Sequence, residues 1–427
     1  MRKLSATTVY LFIEIAASIL FGMMFVVTSF YEATVAGLTP LQLVLVGTTL
    51  EASVFLFEVP TGVVADVYSR RLSIIIGYIL MGLGFLVEGF FPAFIPILLT
   101  QVLWGIGYTF TSGATQAWIS DEVGEDAANR LFLRAARLGL FASLIGMGLA
   151  AYVGSQDAAL PIRAGALGVV LTGLVLILIM PETGFHPTPR EDRNTWQHMW
   201  HTFKTGLTAV RSRPQLITIL GVGLFYGLYS EGFDRLWVKH FLDSYSLPTF
   251  GGNNEVAFFA ALRVAGTLFT ILAVRYVEKR VDTGNSLAIG RAVMIVTAAI
   301  SAALIVFAIS PSLPIAASAA LSVSALLYLS INVLRRVQDP LHTAWVNRKL
   351  DSSVRATIHS MSGQVDAIGQ VAGGPAVALI ARNISVAAAI STSGLLLTPA
   401  LLLVGRANSQ SAREAAVPPD VPVGSEP

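Results

Sequence analysis

Three charged residues stand where charge is expensive. Glu51, Arg263 and Asp366 each fall near the middle of a long apolar run. A charge at that depth costs roughly 2.5–3.5 kcal/mol on insertion scales, so such residues are functional candidates by default. Two acids facing one base leave one carboxyl without a counter-ion, and a desolvated carboxyl holds a proton more readily than one in water. A group that loads and unloads a proton inside the membrane is what coupling to a proton gradient requires. Glu51 or Asp366 is therefore the candidate proton carrier, with Arg263 pairing the other acid. The alternative is three structural polar residues in mutual hydrogen bonds.

Other polar residues fall on shared helix faces. His359, Gly363, Asp366, Gln370 and Gly373 follow i, i+4, i+7, i+11, i+14, and Gln101, Gly105, Tyr108, Ser112 and Thr115 repeat those intervals. Gly223, Gly227, Ser230 and Asp234 form a third stripe, and Ser318, Ser322 and Asn332 a fourth. Such stripes face other helices or water rather than lipid. The Gly and Ser positions read as close helix packing. Gln101, Trp104, Tyr108, Tyr226, Asp234, Asn332 and Gln370 read as the candidate lining of a substrate cavity.

The elements that must position these residues are long and apolar. Of 427 residues, 54% are hydrophobic and 13% charged, about half the charged fraction of a soluble protein, roughly 25%. The chain is an integral membrane protein. It has no cysteine, which excludes disulfides, thiolate catalysis, Cys-ligated zinc and iron–sulfur clusters. A helix needs about 20 apolar residues to cross a bilayer. That ruler predicts twelve spans at 8–31, 41–65, 72–92, 94–120, 131–154, 161–181, 215–240, 254–277, 285–309, 313–335, 354–381 and 384–405. Lipid-exposed backbone must bond to itself, so the spans are helices and the fold is all-α. The first run is too long for a signal peptide and contains Glu14, so it reads as an uncleaved helix.

With the N-terminus inside, the inner connections and termini carry 23 Lys and Arg, and the outer side carries Arg163, Arg235, Lys239 and Arg382. The positive-inside rule then puts both termini in the cytoplasm. The longest connection, 182–214, divides a six-helix unit, 1–181, from a second, 215–405. Within it Trp196, Met199, Trp200, Phe203, Leu207 and Val210 recur at helical spacing, which predicts an amphipathic helix on the inner leaflet. His198 and His201 lie three apart without a third ligand nearby, so no metal site is predicted. Residues 406–427 read as a disordered cytoplasmic tail. An internal duplication supports the division: Ala117-Trp118 and Ala344-Trp345 lie 227 residues apart, each before a polar loop and an Arg that opens the next helix.

The loop after the second span reads Gly62-Val63-Val64-Ala65-Asp66-Val67-Tyr68-Ser69-Arg70-Arg71. It resembles the signature loop of the major facilitator superfamily, with Val67 where a basic residue is usual and Ser69 where a Gly is usual. Phe57 to Gly62, Ser230 to Trp237 and Ser362 to Pro375 resemble more narrowly the drug:proton antiporters, the branch with macrolide and tetracycline exporters. Gln101 stands where that branch often carries an intramembrane Arg, and the fifth span has Gly139, Gly146 and Gly148 without the usual proline. The resemblance implies twelve helices in two six-helix halves, monomeric action and efflux of a lipophilic compound. It further implies that Gly62, Asp66, Arg70 and Arg71, with Asp121, latch one conformation.

No Gly-x-x-x-x-Gly-Lys-Ser/Thr loop occurs, so energy comes from an ion gradient, expected to be protons, or transport runs downhill. The expected function is secondary transport of a small molecule across the plasma (inner) membrane, with no cofactor and no nucleic-acid partner. Uptake of a metabolite or movement of lipid between leaflets is the alternative within transport. A membrane sensor or enzyme is the alternative outside it.

Overall fold

The computed structural model describes residues 3–187, 214–280, 285–349 and 352–416. The predicted amphipathic helix and both linker histidines lie outside the described residues. The first half comprises α1 (Ala6–Thr34), α2 (Pro40–Val67), α3 (Arg70–Phe90), α4 (Phe94–Thr111), α5 (Ala114–Val123), α6 (Glu125–Gly154) and α7 (Ala159–Ile179). The second comprises α8 (Pro214–Ser244), α9 (Val256–Arg280), α10 (Ser286–Ile309), α11 (Ala317–Lys349), α12 (Ser352–Asn383), α13 (Val386–Leu396) and α14 (Thr398–Ala416).

Local chemistry sets the boundaries. Thr39 caps α2 through a capping box with Gln42, followed by Pro40 at the first helical position. Gly113, at φ +71°, breaks the fourth span into α4 and α5, a conformation that favours glycine. Among the described residues ten helical stretches are long and apolar enough to cross a membrane by length and composition alone, counting α4 with α5 and α13 with α14 as one each. The remaining two of the twelve, α8 and α12, hold Asp234 and Asp366.

Two boundaries differ from the sequence reading. α11 continues 14 residues past the expected end at 335, through Pro340, to Lys349, so Arg335 and Arg336 belong to a helix interior rather than a loop. α14 runs to Ala416, eleven residues into the expected tail. Hydropathy marks where the lipid ends; a helix continues as long as its own hydrogen bonds and neighbours support it.

Within the first half α1 packs on α6 and α7, and α3 on α4 and α7; within the second α8 packs on α12 and α13, and α10 on α11 and α13. The halves meet through α2 against α12 and α8, and α6 against α9. Their direct hydrogen bonds, among the described residues, gather at one end. The Asn253 amide donates to Ser155 O at 2.7 Å, and Asn254 Nδ2 to Gly154 O at 2.9 Å. Phe30 meets Phe259 there as well, centroids 5.7 Å apart. At the other end Phe55, Leu56, Phe57 and Glu58 of α2 are consecutive and all exposed. Four successive helical residues sweep most of a turn, so at that level α2 has no neighbour covering it. The space between the halves is closed at the Ser155–Asn253 end and opens towards the α2–α3 loop.

Candidate functional site

A cavity of about 530 Å³ occupies that space, lined by α1, α4, α8, α9, α11 and α12. Its centre is an ion pair between α8 and α11. Arg335 Nη1 donates to Asp234 Oδ1 at 2.5 Å and Nη2 to Oδ2 at 2.7 Å, the two-pronged geometry that makes Arg–carboxylate pairs strong and directional. The Arg335 guanidinium also lies 5.6 Å from the Tyr229 ring and 5.8 Å from Phe233. One helical turn joins a second pair, Arg235 with Glu231 at 3.6 Å, and the Arg235 charge also reaches Glu32, Asp234 and Glu51.

The structure brings Trp104, Tyr226, Asp234, Asn332 and Gln370 into the cavity wall with Asp366 and Arg263. Gln370 Nε2 donates to Asp366 at 2.8 Å, and Tyr226 Oη lies 2.9 Å from Thr297 Oγ1. Glu51 stands beside this group, within the electrostatic reach of Arg235, Asp366 and Asp234. Gln101 and Tyr108 do not join it. Gln101 is fully buried, with neither amide atom hydrogen-bonded, and Tyr108 is 48% exposed away from the cavity wall. The expected pairing of Arg263 with Glu51 or Asp366 is likewise absent. Its guanidinium rests over the Trp237 ring at 5.5 Å and its Nε has no partner. Asp366 instead accepts from Gln370, while Arg335 pairs with Asp234 and Arg235 with Glu231.

Hydropathy puts Arg235 and Arg335 at the ends of their spans, and both are central. The signal for Arg335 lay in the duplication. Subtracting the 227-residue offset sets Arg335 opposite Tyr108, deep inside a span. For Arg235 the signal was Glu231 one turn earlier, since an i, i+4 acid–base pair shares a helix face.

At the open end the signature loop is bound to its own half. Arg70 pairs with Asp121 of α5 and lies 3.9 Å from Asp66. Ser69 caps α3 through the Leu72 amide and donates to Glu182 at 2.7 Å, which also accepts the Arg71 amide at 2.9 Å. Ser69, in place of the usual Gly, thus ties the loop to the segment after α7. Gly62 has open space where a side chain would point.

A sequence model described as Major Facilitator Superfamily matches residues 9–374. The chain belongs to the major facilitator superfamily. As a member it is a multi-pass membrane transporter of small molecules, not an enzyme. Two relatives are uncharacterized MFS-type transporters. YxaM of Bacillus subtilis (strain 168) is 22% identical over 367 residues, 85% of this chain and 86% of that one. MJ1317 of Methanocaldococcus jannaschii is 29% identical over 129 residues, 29% of this chain and 31% of its own. Among solved structures, the nucleoside transporter NupG aligns with TM-score 0.73 at 12% identity, over 95% of this chain and 99% of that one. A D-xylose-proton symporter aligns at 0.64 and 13%, over 94% and 97%. At such identities these structures share the superfamily fold.

Proposed function

We propose that this transporter is a secondary exporter of the plasma (inner) membrane, acting as a monomer with both termini cytoplasmic. It moves a lipophilic compound outwards in exchange for protons. The observation that carries this reading is the charged cavity between two packed halves, closed at one end and open at the other, as alternating access requires. With the termini inside, the open end faces the cytoplasm. Asp366 is the proposed proton carrier, since it lines the cavity with Gln370 as its one direct partner and Arg335 within its electrostatic reach. Glu51 is the second candidate. Removing Arg335 and Arg336 from the inner loops leaves the positive excess on the cytoplasmic side intact. The loop of Gly62, Asp66, Arg70 and Arg71, with Asp121, is proposed to latch the opposite, outward-facing state, in which the inner ends of the halves meet.

The test uses everted vesicles from an efflux-deficient host, energised by respiration, with ΔpH followed by fluorescence quenching. Addition of transported compound is expected to release protons, and Asp366→Asn or Glu51→Gln to abolish both that release and the pH dependence of flux. Asp66→Asn is expected to slow turnover by shifting the population towards the inward-facing state. Unchanged pH dependence in both acid variants would remove the proton role. An unchanged rate and conformational distribution in Asp66→Asn would remove the latch.

A further inference from the structure

The central cavity has a neighbour. A cleft of about 320 Å³ lies between α6 and α9, against α11. Both volumes fall within the roughly 300–1,000 Å³ of ligand sites. Leu140, Met147, Leu262 and Ile271 give the cleft an apolar wall, and Arg263 and Arg336 line the cleft and the central cavity alike. On both flanking helices large apolar side chains are exposed beside it, Phe141 at 67% and Phe269 at 53%.

The charges at this junction are one-sided. The cleft is lined by two arginines and by no carboxylate. Among the described residues the Arg263 guanidinium has no ion pair; it rests on Trp237, its Nε is without a hydrogen bond, and its charge reaches Asp234. Arg336 is exposed and, among the described residues, has no acid within ion-pairing distance; its charge acts on Asp339 one turn along α11. In the cavity, by contrast, Asp234 sits with Arg335, and Asp366 accepts from Gln370. A guanidinium beside apolar surface has a standing need for an anion, which it binds through paired N–H donors.

We propose that the substrate is a single-chain amphiphilic anion, its carboxylate or phosphate held at Arg263 and Arg336 and its hydrocarbon chain laid in the α6–α9 cleft. The inference rests on the transporter reading for its purpose but not for its test, because binding is measured without any gradient. Each buried methylene adds about fourfold in affinity, so chain length is read directly.

The experiment measures equilibrium binding of radiolabelled laurate to the full chain in phosphatidylcholine nanodiscs, with competitors. Laurate is expected to bind at least tenfold tighter than hexanoate, and dodecyltrimethylammonium not to displace it. Arg336→Gln, at an exposed position that folding tolerates, is expected to weaken laurate at least tenfold, with partial recovery in Arg336→Lys. Ser143→Leu, which fills the cleft, is expected to weaken laurate and leave hexanoate unchanged. Lauroyl-lysophosphatidate in the same assay separates a lipid headgroup from a free acid as the source of the anion, and tight, Arg336-dependent binding of either supports the site. Equal binding of laurate and dodecyltrimethylammonium, or unchanged laurate binding in Arg336→Gln, overturns it. Compound-triggered proton release without anion binding leaves the exporter and removes this site. Arg336-dependent laurate binding with no proton movement leaves the site and removes the coupling.

Discussion

Arg335 and Arg263 line one cavity and differ in what holds them. Arg335 is fixed by two hydrogen bonds to Asp234, whereas Arg263 is held by ring contact alone. Asp234→Asn removes the counter-charge from a partly buried guanidinium. Breaking a fully buried pair costs about 3–5 kcal/mol. The Asp234 side chain is 42% accessible, and solvent screening reduces the expected loss to about 1–2 kcal/mol. The check is the thermal unfolding midpoint in detergent, which falls in Asp234→Asn and partly recovers in the exchange Asp234→Arg with Arg335→Asp. An unmoved midpoint in the single variant would make the pair structurally idle. At this scale the sequence disclosed which polar residues sit at mid-depth, because intramembrane charge is conspicuous. It did not disclose who pairs with whom. Arg263 stood nearest the middle of its run, yet Glu231 and Asp234 went to Arg235 and Arg335, which hydropathy had placed at the ends of theirs.

The glycines mark where helices touch backbone to backbone. A side chain at Gly373 of α12 would meet Leu228 O of α8 at 2.6 Å, and Gly227 and Gly369 close the same seam. Gly363, on the same stripe of α12, has nothing near it, so the stripe is packing at one end and open space at the other. Gly373→Val is expected to force the seam apart at a cost of about 1–3 kcal/mol. Gly363→Ala, placed in open space, is expected to leave stability within about 0.5 kcal/mol of the parent. Equal unfolding midpoints for the two variants would contradict this division. Ten of the twelve expected spans stand out among the described residues by apolar length, because a helix that crosses lipid has no other way to satisfy its backbone; α8 and α12, which carry the charges, fall short of that measure. The break at Gly113 and the continuation of α11 were not legible, since a left-handed glycine and a helix end depend on local geometry that hydropathy averages away.

The whole molecule is asymmetric along its long axis. The Asn253–Ser155 contact and the α2–α12 seam hold one end together, while α2 stands uncovered at the other. If transport requires this closed end to part, joining it must stop turnover. The chain has no cysteine, so Ser155→Cys with Asn253→Cys introduces the one available pair. Oxidation is expected to cut flux to background and reduction to restore it; full flux in the cross-linked protein would mean that this end never opens. The second half carries a consequence of the long α11. At 33 residues it is about 50 Å from end to end, against a hydrocarbon layer of about 30 Å. The surplus, roughly 20 Å, is packed rather than free: Val337, Leu341, Trp345 and Val346 are buried with Ile219 of α8, Ile289 of α10 and Val404 of α14. A rocking of the helix by about ten degrees about Arg335 swings Lys349, about 21 Å further along, through roughly 4 Å. Rearrangements around Arg335 are thereby carried to the Lys349 end of that helix and to the helices packed on it, where an optical label would follow them.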